Sequence, residues 1–171
     1  MTIPYRGTTG HGTYFVTSST FQKKALFQSE RTATLFVETL LEYRNQDKYK
    51  LHEFVVMPDH FHLLITPIVT LERAVQLIKG GFSFRAGKIF RVRGNIWQPS
   101  FYDRRVRDST EYESFRRYIH WNPVKRGLVF STEQYGHSSA SGKVLLDPAP
   151  QWLKPMSDQQ FRRSAEALLH P

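Results

Sequence analysis

Cysteine is absent from the 171-residue chain. Disulfides and thiolate metal sites are therefore excluded, and any metal must be held by nitrogen and oxygen. Long hydrophobic runs are missing too. No stretch approaches the roughly 20 apolar residues that carry a helix across a bilayer. The opening segment, MTIPYRGTTG, lacks the apolar core of a secretory signal. A soluble, cytoplasmic protein is expected. No glycine-rich phosphate loop follows any stretch that reads as a strand, which argues against a nucleotide-triphosphate or dinucleotide site. Repeats and low-complexity tracts are also lacking. Acidic residues are scarce, with 15 Asp and Glu against 24 Lys and Arg, a net charge of +9.

What is present suits one packed domain. Hydrophobic residues make up 40% and aromatics 14%, and the length supports one full core but is short for two. The positive charge is concentrated. Lys79, Arg85, Lys88, Arg91, Arg93, Arg104, Arg105 and Arg107 face a single acid, Asp103, within that stretch. A localised basic stripe is the footprint of a polyanion binder, and nucleic acid is the first candidate. Phe82, Phe84, Phe90, Trp97, Phe101 and Tyr102 interleave with it. Bases of a single strand stack on such rings while arginines track phosphates. Trp97 and Phe101 read instead as core. Arg85, Lys88, Arg91 and Arg93 are the better DNA contacts, joined by Arg104 and Arg105. Lys125 and Arg126 read as phosphate contacts near the reacting group.

The order of elements is legible from periodicity. GTYFVTS (12–18) reads as a strand, and Ser29 as the cap of a helix to about Asn45. Residues 49–57 and 60–66 read as strands separated by Pro58-Asp59. Thr70 caps a second helix, with Leu71, Ala74, Val75 and Ile78 on one stripe, which Gly80-Gly81 loosens or ends. Residues 95–103 read as a fourth strand. Asp108 or Ser109 caps a third helix through about Trp121, because Pro123 restricts Asn122. A β-α-β-β-α-β order followed by a helix is ferredoxin-like, an α+β fold with an antiparallel sheet. Residues 1–136 form the expected catalytic domain. Residues 137–171, with Pro148, Pro150 and Pro155 and a short helix over 157–169, form a tail on or near it.

Within Met57-Pro58-Asp59-His60-Phe61-His62-Leu63-Leu64-Ile65, the two histidines share a strand face while Phe61, Leu63 and Ile65 face a core. Two imidazoles on one rigid face make most of a metal site. The plain alternative is two polar residues on a solvated face. On the third helix, Tyr118 and Asn122 are i and i+4, one turn apart on the same side. The two histidines and an amide oxygen suit a divalent ion, Mg²⁺ or Mn²⁺, and the tyrosine suits a nucleophile at a polarised phosphate. Tyr112 and Tyr102 are its rivals, and most helix tyrosines are packing residues. His120, offset about 200° from Tyr118 on an ideal helix, reads as structural or solvent-facing. His11, His52 and His137 lack a spaced partner. Asp59 reads as a turn residue, with orientation of a histidine ring as the alternative.

The ordered motifs MPDHFHLLI, WQPSFYD and YIHWNPVKRGLV, with GHGTYFVT before them, resemble the REP-associated tyrosine transposases. These are relatives of one-tyrosine transposases with a His-hydrophobic-His motif. The resemblance covers about residues 10–139. It implies a metal-dependent endonuclease and strand transferase acting on single-stranded DNA whose imperfect palindromes fold into hairpins. His60 and His62 match the metal-binding pair and Tyr118 the nucleophile. Asn122 falls at the amide ligand, where related enzymes often carry glutamine. The resemblance favours a monomer over a dimer. Two other classes stay open on the residues alone: a nuclease using metal-activated water, and a non-catalytic nucleic-acid-binding module.

Overall fold

The computed structural model describes residues 12–151 and 153. Along the chain it comprises β1 (Tyr14–Ser19), α1 (Glu30–Asn45), β2 (Tyr49–Met57), β3 (His60–Pro67), α2 (Leu71–Phe90), β4 (Tyr102–Arg105) and α3 (Ser109–Lys125). The strands form one antiparallel sheet in the order β2-β3-β1-β4, the ferredoxin-like arrangement expected from the element order. His11 and the expected 157–169 helix lie outside the described residues. Among the described residues no helix is long and apolar enough to cross a membrane.

The sheet separates two apolar layers, and strand alternation decides which residue joins which. Phe61, Leu63 and Ile65 pack with Leu35, Phe36 and Leu40 of α1 and with Ala74, Val75, Ile78 and Phe82 of α2. Each large side chain buried there contributes roughly 1.5–3 kcal/mol. On the opposite face, Phe15, Val55, Met57 and Leu64 pack with Tyr112 and Ile119 of α3. Thr70 caps α2 through its side chain, and Asp108 rather than Ser109 caps α3. Ser29 occupies the cap position of α1 without a side-chain cap bond.

Three elements differ from the sequence expectation. Helix α2 runs through Gly80-Gly81 without a break. A Cβ built on Gly81 would lie 2.5 Å from Tyr43 Oη of α1, so this glycine serves close helix approach. Helix α3 continues past Trp121 to Lys125 with Pro123 inside it. In a last turn, proline forfeits one N–H bond, and Arg126 N still donates to the Asn122 carbonyl. The fourth strand begins only at Tyr102. Trp97 forms an isolated bridge to Thr20, and Ser100 takes φ 66, which no strand accommodates. Trp97 and Phe101 nonetheless join the core. Trp97 meets Phe27 and Phe36 at tilted angles and Phe61 and Phe82 edge-on.

Beyond α3, residues 135–147 run along β2. Val56 N donates to the His137 carbonyl and Asp147 N to that of Leu51. These bonds satisfy part of an otherwise open strand edge.

Candidate active site

His60 and His62 occupy the start of β3 on its α3-facing side. Register sets their neighbours: Thr17 and Val55 flank His62, and Ser19 and Met57 flank His60. Both histidines are buried, 6% and 4% exposed, and their rings lie 4.8 Å apart. Each is held by one ring nitrogen. Asp59 Oδ1 lies 2.6 Å from His60 Nδ1, and Thr17 Oγ1 lies 2.6 Å from His62 Nδ1. Asp59 thus closes the β2-β3 turn and also orients the ring. With Nδ1–H donated to these oxygens, both Nε2 atoms present lone pairs. His62 Nε2 is buried and has no hydrogen-bond partner.

The electrostatics keep the pair neutral. Burial, then the neighbouring His60, Lys23 and Arg126, pushes the His62 pKa down to about 3. Burial also lowers that of His60 and outweighs the opposing pull of Asp59, with Lys23 and Arg126 adding smaller downward pushes. Burial alone would raise the Asp59 carboxyl, but the bond from His60 and the nearby cations hold it below its usual range. Neutral imidazoles with unpaired Nε2 atoms are what a divalent ion requires. A buried nitrogen without a partner costs free energy unless something binds it, so these residues fit a metal. Among the described residues no three His, Cys, Asp or Glu side chains are grouped so as to hold a metal ion by themselves. The remaining ligands would come from Asn122, solvent or substrate.

Helix α3 brings Tyr118 against this pair. Its ring meets that of His62 at 5.1 Å and 70°, and that of Phe15 at 5.8 Å. The residue is 45% exposed. It opens on a cleft of about 370 Å³ shared by Phe15, Thr17, His62, Tyr102 and Phe115. Asn122 follows one turn later and is buried. Of the two rivals, one is buried and one shares the cleft. Tyr112 is buried in the α3-side core, and burial pushes its hydroxyl well above the usual range. Tyr102 is exposed in the same cleft as Tyr118. His120 is structural: its Nε2 lies 2.7 Å from Glu53, which also holds Arg116 and Ser139.

The basic residues divide. Arg126 lies near both histidines, and Lys125 is exposed beside it. Arg104, on the α3-facing side of β4, pairs with Glu111 and lies over the Phe115 ring. Arg105 is exposed on the other side. Arg85 is spent on Glu38 and Glu42, tying α2 to α1. Lys88, Arg91 and Arg93 are exposed at the end of α2, across the sheet from Tyr118. Sequence reasoning missed Thr17 and Lys23. Both are distant in sequence, and only strand register and a loop bring them to the histidines.

Residues 11–122 match the family described as "Transposase IS200 like". The chain is 24% identical over 131 residues to the REP-associated tyrosine transposase of Escherichia coli K12, covering 75% of this chain and 76% of that one. Its fold is similar to that of a REP-associated tyrosine transposase bound to a REP hairpin. There the TM-score is 0.69 at 23% identity, over 92% of this chain and 96% of the other.

Proposed function

Because the chain belongs to the family of IS200-like transposases, we propose that it cuts and rejoins single-stranded, hairpin-forming DNA in a metal-dependent reaction through Tyr118. The observation that carries this reading is the exposed Tyr118 ring set against His62, whose Nε2 is buried and unpartnered. The fold shared with a protein bound to a REP hairpin supports a palindromic DNA substrate.

Tyr118 Oη attacks the scissile phosphorus. The bond to the 3′-oxygen breaks, the 5′-phosphate stays on the tyrosine, and the 3′-oxygen leaves as a hydroxyl after taking a proton. The tyrosine proton passes to solvent. The phosphotyrosine keeps the bond energy, so a 3′-hydroxyl can reverse the step without ATP. His60 and His62 through Nε2, with the Asn122 amide oxygen, would hold Mg²⁺ or Mn²⁺, which supplies charge neutralisation at the phosphate. Asp59 and Thr17 keep the two imidazoles aimed and neutral. The open cleft admits an unpaired strand, and Phe115 and Tyr102 offer faces for bases. Arg104, over the Phe115 ring, stands beside the cleft, and Lys125 and Arg126 stand at the end of α3 on the histidine side, placed to meet phosphates. Lys88, Arg91, Arg93 and Arg105 reach the flanking duplex. The contact of Tyr118 with His62 of its own chain supports a monomer as the working unit.

The test incubates end-labelled single strands spanning genomic palindromes with protein and Mn²⁺, then separates products under denaturing conditions. Wild type gives a labelled, protein-sized adduct. Tyr118→Phe gives none yet binds the strand nearly as well, and His60→Ala with His62→Ala gives none with any metal. Cleavage without an adduct would point to activated water instead. Binding without cleavage would point to a non-catalytic module.

A further inference from the structure

On the His60 side of the site, away from the Tyr118 cleft, lies a second hollow of about 200 Å³. Lys23, Asp59 and Arg126 form its polar wall, and Met57 and Leu128 its apolar one. The chain goes to unusual lengths to place Lys23 there. Gln22 and Lys23 are consecutive non-glycine residues at φ 53 and 54. Side chains disfavour that left-handed region, and such strain persists only where surrounding contacts impose it. Here they do. Thr20 N and Thr20 Oγ1 donate to the Asp59 carbonyl, and Phe27 N to that of Pro58, pinning the loop to the turn before His60. Lys23 Nζ donates to Ser19 Oγ at 2.7 Å, and Ser19 pairs with His60 across the strands.

The hollow carries excess positive charge. Neither Lys23 nor Arg126 has an ion-pair partner among the described residues. The one acid, Asp59, accepts from the neutral His60 ring and keeps its charge, so the two cations outnumber it by one. Two cations without ion-pair partners around a small hollow, Lys23 held by Ser19 and Arg126 set by the end of α3, suit a phosphodiester. Direction follows from α3. Tyr118, Asn122 and Arg126 succeed one another at four-residue intervals, so Arg126 stands about 12 Å along the axis from Tyr118. In an in-line displacement the leaving oxygen departs opposite the nucleophile.

We propose that Lys23 and Arg126 hold the phosphate immediately 5′ of the scissile bond, on the strand that departs with the 3′-hydroxyl. Lys23 is thus a positioning residue of the reaction. This rests on the tyrosine reading. It adds a retained 3′-hydroxyl strand, poised to attack the phosphotyrosine and reseal.

The experiment is a charge-deletion cycle. Strands each carrying one neutral methylphosphonate are tested with wild type, Lys23→Gln, Lys23→Arg and Arg126→Gln. Cleavage is read as kcat/KM, and binding is read separately in a Tyr118→Phe background. Lys23→Gln lowers kcat/KM by about 10- to 100-fold, and Lys23→Arg recovers most of it. The neutral linkage just 5′ of the cut costs wild type a similar factor and costs Lys23→Gln or Arg126→Gln almost nothing more. Neutral linkages elsewhere cost all proteins alike. Multiplicative losses at that position in both variants would overturn the clamp. Coupling in binding at one linkage, with no adduct from wild type, would overturn the tyrosine reading and keep the clamp.

Discussion

At the scale of single residues, each histidine is committed at one nitrogen and open at the other. The Thr17 hydroxyl on His62 Nδ1 and the Asp59 carboxylate on His60 Nδ1 favour the tautomer that leaves Nε2 to a ligand. Thr17→Val keeps the shape and removes the hydroxyl. Its expected effect is a 10- to 100-fold loss of Mn²⁺ affinity, measured by calorimetric titration without DNA, with the folded far-ultraviolet spectrum retained. Unaltered affinity would refute the orienting role. The facing of His60 and His62 was readable because strand alternation is local. Thr17 was not, because its place beside His62 depends on the register of two strands 45 residues apart in sequence.

At the scale of elements, local propensity was overridden where two elements touch. Gly80-Gly81 reads as a break, yet α2 passes through it. Gly81 is the one position where the Tyr43 ring leaves no room for a Cβ, whereas a Cβ on Gly80 meets nothing within 4 Å. Gly81→Ala is expected to cost about 1–3 kcal/mol by overpacking. Gly80→Ala is expected to stabilise by about 0.5–1 kcal/mol through helix propensity. Urea unfolding of the two variants checks the contrast, and equal effects would refute it. Pro123 likewise reads as a stop. In the last turn of α3 it forfeits little, and the helix extends far enough to seat Asn122 and to end beside His60 at Arg126. The fourth strand was expected seven residues early, because the aromatic spacing of NIWQPSFYD resembles a strand. Trp97 packs, partly buried, against the α1–α2 layer instead. Its Nε1 donates to the Lys79 carbonyl and Ser83 Oγ.

At the scale of the whole molecule, the segment after α3 is bound to the sheet by charge. Arg44 donates to Asp147 from Nε and Nη2 at 2.8 and 3.2 Å, and Leu51 N donates to the same carboxylate. Burial alone would raise the Asp147 carboxyl, but the Arg44 and Leu51 bonds outweigh it and depress it. Burial of Glu53 is outweighed in the same way by His120, Ser139 and Arg116. A carboxylate depressed on folding stabilises fully above its unfolded value, and that stability is lost as pH falls through the folded one. The ordinary values are 3.8 and 4.5, so acid weakening begins below about pH 4.5. Asp147→Asn is expected to cost about 1–3 kcal/mol at pH 7. The difference from wild type should shrink as the pH falls below about 4. Urea midpoints across pH measure this, and a gap that widens in acid would contradict it.

The amino-acid sequence by itself determined the class of fold, the order of elements, the shared face of His60 and His62 and the turn spacing of Tyr118 and Asn122. Each of these follows from a short-range period, two for a strand and 3.6 for a helix, which is written in consecutive residues. The motifs also sufficed for family resemblance. Only the tertiary structure decided that Tyr118 meets His62, which cations are spent on ion pairs and which stand open. It also brought Thr17 and Lys23 to the site. Those facts depend on strand register, helix approach and a pinned loop, and each arises from packing between segments far apart in the chain.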